Sequence, residues 1–149
     1  MAAQIVIRSV GNDERGAWER LWNSYLAFYN ATLAPGATDV AWQRFHDPAE
    51  PMFLLGAYVD GRLTGIVQYL FHRSSWTVGN YCYLQDLFVA DGARGLGLGR
   101  KLIEAVYDKA REAGASRVHW LTQTTNAQAR ILYDQVADDS GFMQYRKIL

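Results

Sequence analysis

The sequence is poor in the residues that staple or interrupt a chain. It holds one cysteine, Cys82, so no intrachain disulfide can close, and no Cys/His cluster has the spacing of structural zinc. A small buried hydrophobe on a strand is the plain reading of that thiol. His46, His72 and His119 are dispersed without metal-ligand spacing, so no metal is expected. Three prolines cannot build a Pro-rich linker, and no repeat or low-complexity segment divides the chain. Excess charge of either sign is missing too: 15 Lys and Arg offset 15 Asp and Glu. That balance leaves no global field to recruit nucleic acid or an anionic membrane, and neither partner is expected. No apolar run approaches the ~20 residues that a spanning helix needs. The segment from Met1 to Arg8 lacks the basic stretch and long apolar run of a secretory signal. What is present, 50% hydrophobic and 13% aromatic residues, is enough for one sizeable core. One cytoplasmic domain over residues 1–149 is expected.

Hydrophobic periodicity orders the elements. Gln4 to Ser9 reads as a strand. Asn12 and Asp13 can cap a helix carrying Trp18, Leu21, Trp22, Tyr25 and Tyr29 on one stripe. A shorter amphipathic stretch with Val40, Trp42 and Phe45 follows the break at Ala34-Pro35-Gly36. Met52 to Val59 and Leu63 to Phe71 are apolar runs joined by Asp60-Gly61, a strong hairpin signal, and Tyr81 to Val89 is a third. Leu102, Ile103, Val106, Tyr107, Ala110 and Ala113 share one face of a clear helix. Arg117 to Thr122 reads as a strand, Asn126 to Val136 as a helix, and Phe142 to Ile148 as a closing strand. This order, β-α-α-β-β-β-α-β-α-β, predicts an α+β fold with a mixed sheet.

The sharpest feature is the run from a strand through Arg94-Gly95-Leu96-Gly97-Leu98-Gly99-Arg100 into a helix. Glycines at 95, 97 and 99 let backbone N–H groups approach a ligand closely. The helix N-terminus adds unpaired donors and partial positive charge, which suits a phosphate or pyrophosphate. The dinucleotide fingerprint fails, since the last glycine position falls on Arg100 or Leu102. A phosphate-binding P-loop fails as well, because Lys101 follows Arg100 and precedes Leu102.

The same loop, from Arg94 to Gly99, resembles the R/Q-x-x-G-x-G/A acyl-CoA loop of GNAT acetyltransferases. Tyr83-Leu84-Gln85-Asp86-Leu87-Phe88-Val89 resembles the family strand before that loop, and Asn126 to Tyr133 its N-x-x-A-x-x-x-Y helix. The nearest likeness is to the small polyamine and histone-type branch. The resemblance implies a mixed, mostly antiparallel sheet of about six to seven strands flanked by about four helices. It also implies acetyl-CoA as co-substrate and direct transfer of an acetyl group to a primary amine in a ternary complex. A small amine is the first expectation for the acceptor, and a protein lysine or N-terminus the second. A CoA-binding regulatory module without turnover is the alternative, and pairing into a homodimer is plausible for the family.

Residue by residue, the resemblance assigns the backbones of Leu87, Phe88 and Val89 to the pantetheine arm. The Phe88–Val89 amides are placed to stabilise an oxyanion. Arg94, Gly95, Leu96, Gly97, Leu98, Gly99 and Arg100 take the pyrophosphate, while Asn126 and Ala129 line the CoA arm. Tyr133 stands beside the thioester sulfur as proton or hydrogen-bond donor. On spacing alone Tyr133 also fits a core stripe with Leu132 and Val136.

Two departures stand out. Gln85 occupies the position where the branch usually has Glu, and strand alternation puts Tyr83 and Gln85 on one face with Asp86 on the other. Gln85 then positions substrate or water, and Asp86 is either a base or a structural carboxylate. Seven residues, Asp134 to Ser140, separate Tyr133 from Gly141-Phe142, where the family usually has three. Asp138 and Asp139 in that loop either border an amine cleft or make a solvated turn. Tyr25 and Tyr29 are core residues or an aromatic wall for an amine, and His119 either faces the acceptor or is a satisfied sheet residue.

Overall fold

Asp60 and Gly61, with φ of +50° and +82°, form a tight turn that joins β2 (Met52–Val59) to β3 (Arg62–His72) as the expected hairpin. The computed structural model, which describes residues 2–93 and 95–149, extends this hairpin on both sides. β1 (Ile5–Ser9) pairs antiparallel with β2, and β4 (Tyr81–Val89) pairs antiparallel with β3. β5 (Arg117–His119) lies parallel to β4, giving the order β1-β2-β3-β4-β5.

Helices cover both faces. α3 (Leu98–Glu112) sets Leu98, Leu102, Ile103, Val106 and Ala110 against Leu55, Ala57, Val67, Tyr69, Cys82 and Leu84. On the opposite face, α1 (Arg15–Phe28) and α2 (Ala37–Phe45) bring Trp18, Leu21, Trp22 and Trp42 onto Leu54, Tyr58, Leu63 and Ile66. The alternation of strand residues between these clusters is the period-2 pattern read from the sequence. α1 begins three residues later than expected, and the Glu14 carboxylate rather than Asn12 or Asp13 takes up the loose Gly11 N–H at 3.0 Å. α4 (Ala127–Val136) packs beside the start of α3, where Leu132 closes on Gly99. No helix among the described residues is long and apolar enough to cross a membrane.

The C-terminal third departs from expectation. Among the described residues the sheet has five strands, where six to seven were expected. β5 ends at His119 instead of Thr122, and the closing strand from Phe142 to Ile148 does not form. A strand requires a neighbouring edge to satisfy its backbone. Residues 139–149 are exposed and unpaired with the sheet, leaving Phe142, Met143, Tyr145 and Ile148 uncovered.

Candidate active site at the splayed edge of strand β4

The register of β3 and β4 carries an irregularity. Asp86 lies opposite Gln68, yet the next β3 residue, Tyr69, lies opposite Leu84. Gln85 is the extra residue of a β-bulge, and it is exposed. The bulge resets the alternation. Cys82 and Leu84 face α3, whereas Asp86 and Phe88 face α1, on the side that also carries Tyr83. The expectation of no carboxylate on the Tyr83 face is thereby corrected, because one inserted residue turned Asp86 over.

A second consequence concerns the outer edge of β4. β5 pairs with β4 only from Tyr81 to Tyr83, while β3 continues alongside β4 as far as Val89. Among the described residues no strand borders the outer edge from Leu84 to Val89. Phe88 spends its backbone groups on Ile66 of β3, whereas Leu87 and Val89 turn theirs to a gap, where an extended ligand can add as a pseudo-strand.

The gap leads to the glycine turn. Gly95 and Gly97 adopt φ of +85° and +70°, the left-handed region that Cβ-bearing residues avoid. Gly97 is the N-cap of α3 and offers no side chain to its first turn, so the Leu98, Gly99 and Arg100 amides lack intrahelical partners. A Cβ on Gly99 would come within 3.3 Å of Leu132 Cδ2, so glycine there permits α4 to pack closely. Leu98 is buried and Leu96 half-buried, anchoring the turn, and the Arg100 guanidinium donates to Gln135 on α4. Arg94 lies outside the described residues. This set fits acetyl-CoA: exposed amides and a helix N-terminus for its phosphates, and a bare strand edge for its amide-rich arm.

α4 forms the opposite wall. Asn126 Oδ1 accepts from Ala129 N at 3.4 Å, so Asn126 caps the helix as well as standing beside the gap. Seven residues on, Tyr133 is half-buried with its ring edge-on to Trp120 at 5.4 Å. Burial, and then the nearby Tyr29, push the Tyr133 phenol above its ordinary range, so it keeps its proton at neutral pH.

Around Asp86 is an ordered polar chain. Trp18 Nε1 donates to Gln68 Oε1 at 2.8 Å, and Gln68 Nε2 donates to Asp86 Oδ2 at 2.8 Å. Burial raises the Asp86 carboxyl above the ordinary carboxylate range, against the opposing pull of Gln68 and of the nearby Tyr25 hydroxyl. Tyr25 is held between Trp22, stacked at 5.4 Å, and the edges of Tyr29 and Phe88. Tyr25, Tyr29, Asp86 and Phe88 thus form one aromatic and acidic cluster between α1 and β4. Tyr83 and His119 lie further along the sheet, their rings stacked at 5.1 Å and 12°.

Sequence reading missed Gln68 and Trp18. Their signal was a lone amide inside the apolar run Leu63–Phe71; Gln68 is only 3% exposed. Asp139 turns inward on its own loop, accepting from Gly141 N at 3.0 Å and lying 3.6 Å from Arg130, which favours the turn reading.

The model of the acetyltransferase (GNAT) family matches residues 18–137. The chain is 34% identical over 146 residues to a D-amino-acid N-acetyltransferase of Saccharomyces cerevisiae, covering 97% of this chain and 91% of that protein. It is 31% identical over 80 residues to a thialysine N-epsilon-acetyltransferase of Caenorhabditis elegans, covering 54% and 49%. Its fold superposes on AAC(6')-Iy in complex with the bisubstrate analogue CoA-S-monomethyl-acetylneamine with a TM-score of 0.82, at 16% identity and over 98% and 99% of the two chains. With a bare strand edge, a glycine turn and a facing tyrosine helix in the matched region, the chain belongs to the GNAT family, as an N-acetyltransferase that draws its acetyl group from acetyl-CoA.

Proposed function

We propose that the acceptor is a small primary amine of amino-acid or polyamine type, bound between α1 and β4 with its nitrogen directed to Asp86. The observation that carries this reading is the half-buried Asp86 carboxylate, ringed by Tyr25, Phe88 and Gln68. A cationic amine gains from one anion and from aromatic faces in such a cluster. Relatives named for D-amino acids and thialysine support a small acceptor; a protein lysine or N-terminus is the second reading.

Acetyl-CoA supplies a thioester carbonyl open to attack by a neutral amine. Freeing a lysine-like amine of its proton at pH 7 costs about 4.6 kcal/mol, so the site needs a proton acceptor. Asp86 holds the ammonium and takes one proton from it, so that the neutral nitrogen attacks. The second proton that nitrogen loses after the C–N bond forms goes to the departing thiolate as the C–S bond breaks. The raised pKa of Asp86 makes it a stronger base than an exposed carboxylate. The Val89 N–H, on the outer edge of β4, stabilises charge developing on the carbonyl oxygen, while the Phe88 N–H stays with β3. Tyr133 gives a hydrogen bond to the sulfur as the C–S bond breaks. Gly95 to Arg100 hold the pyrophosphate, Leu87 to Val89 the pantetheine arm, and Asn126 and Ala129 flank it. Tyr29, Tyr83, Gln85 and His119 border the acceptor path.

Free-thiol release from acetyl-CoA, measured across amino acids, polyamines, aminoglycosides and a lysine peptide, tests this reading. Saturable release with small amines is expected. Release with the peptide alone would overturn the acceptor assignment.

The chain acts as a homodimer in this reading, in the cytoplasm and without nucleic acid. Exposed Phe142, Met143, Tyr145 and Ile148 support pairing, as does the cavity of about 880 Å³ between β5, α4 and this segment. The buried lone thiol of Cys82 and the balanced charge support the rest. Light scattering of the full chain should give twice the chain mass, and a chain ending at Gly141 should give the single mass.

A further inference from the structure

His72 closes β3 and His119 closes β5, with β4 between them. Forty-seven residues apart in sequence, their Nε2 atoms approach to 3.5 Å. The rings meet edge to face, 5.7 Å between centroids at 85°. Both are held from behind. His72 Nδ1 lies 2.8 Å from the Arg73 carbonyl oxygen, which can only accept, so the proton of the neutral ring sits on Nδ1. The lone pair of His72 Nε2 therefore points at His119. His119 lies flat on Tyr83 and edge-on to Tyr81, which fixes its plane.

We infer that His72 and His119 form a two-histidine chelate for a divalent transition ion of the zinc, nickel or copper type. Two imidazole nitrogens, each ~2.05 Å from a tetrahedral zinc, lie about 3.4 Å apart, close to the separation found here. Imidazole is a preferred ligand of these borderline ions. No group of three His, Cys, Asp or Glu that could hold a metal exists among the described residues, so the ion keeps coordination positions for water or a donor from another molecule. Bound metal ties the short parallel strand β5 to β3 across β4. The third histidine cannot compete, since both ring nitrogens of His46 rest on carbonyl oxygens, of Trp42 at 2.9 Å and Val10 at 2.8 Å.

The test uses the untagged full chain, stripped with EDTA and titrated with Zn²⁺ or Ni²⁺ by calorimetry and thermal melting. One ion per chain at pH 7.5 is expected, with Tm raised by about 4 °C or more at saturating metal. His72→Asn and His119→Asn should each abolish binding, as should pH 5, where protonated imidazoles reject the metal. In NMR spectra, Cu²⁺ should broaden the ring protons of His72 and His119 while sparing those of His46. No heat and no Tm shift in the parent chain would leave a plain N–H···N hydrogen bond and overturn the inference. A shift that survives in both variants would place the ion elsewhere and overturn it equally.

Discussion

Gln68 and Asp86 face each other across β3 and β4, joined by a 2.8 Å bond from Nε2 to Oδ2, at the point where the bulge at Gln85 resets the strand. That pairing turns a carboxylate toward α1 and holds it in place.

Replacing Asp86 separates its chemical role from its structural one. Asp86→Asn keeps the shape but removes the base, and kcat/KM should fall by about 100-fold or more. The folded pKa of Asp86 is raised, so ionisation costs native stability as pH rises past the ordinary carboxylate value. The variant should therefore melt at or above the parent temperature at pH 7, with the difference shrinking in acid. Thermal melts at pH 4 and pH 7 check the sign; full activity in the variant would dismiss Asp86 as base.

Gln68 acts through its neighbours as a positioning residue. Gln68→Leu strips partners from the Trp18 N–H and from Asp86 together, and should cost about 2 kcal/mol of stability. It should also move the pH profile of kcat, because Asp86 loses a donor that lowers its pKa. A profile unchanged from the parent would reduce Gln68 to a packing role.

Tyr133→Phe removes one hydroxyl from the half-buried wall of α4. Turnover should drop by roughly tenfold to a hundredfold while acetyl-CoA affinity, measured by calorimetry, holds. Unchanged turnover would contradict its role as donor to the sulfur.

Gly97→Val places a branched residue at φ of +70° on the N-cap of α3. Left-handed strain of about 1–2 kcal/mol, with a side chain over the phosphate amides, should abolish acetyl-CoA binding. The fold should survive, as circular dichroism would show.

Glu14 sets an acid limit. Its carboxylate accepts from Arg8 Nη1 at 2.8 Å, from Gly11 N at 3.0 Å and from the Tyr58 hydroxyl at 2.8 Å. Arg8, chiefly, holds its pKa down at about 2. A lowered carboxyl pKa stabilises the fold above the ordinary value and loses that contribution as pH falls toward the folded one. Because Arg8 is half exposed, about 1–2 kcal/mol is expected rather than the full linkage value. The melting difference between the parent chain and Glu14→Gln should be largest above pH 5 and vanish near pH 2.

Much of this protein was decided by local sequence. Asp60-Gly61 imposed its hairpin, the stripe on α3 its buried face, and Gly95 and Gly97 their left-handed turn, since each depends on neighbouring residues and backbone sterics. Cross-strand and long-range relationships were not local. A bulge is a mismatch of lengths between two strands, so Asp86 could be placed on the α1 face only once β3 lay beside β4. Phe142 to Ile148 has strand periodicity, but periodicity alone does not dock a segment on a sheet edge, and among the described residues this one pairs with none. Gln68 looked like an interruption until Trp18 and Asp86 closed on it, and His72 and His119 looked dispersed until the sheet folded their rings together. The sequence by itself determined the elements as far as β4, the helices α3 and α4, and the glycine turn, through periodicity and allowed dihedral angles. Only the tertiary structure decided which side chains meet, because side-chain convergence is a property of register and packing between distant segments.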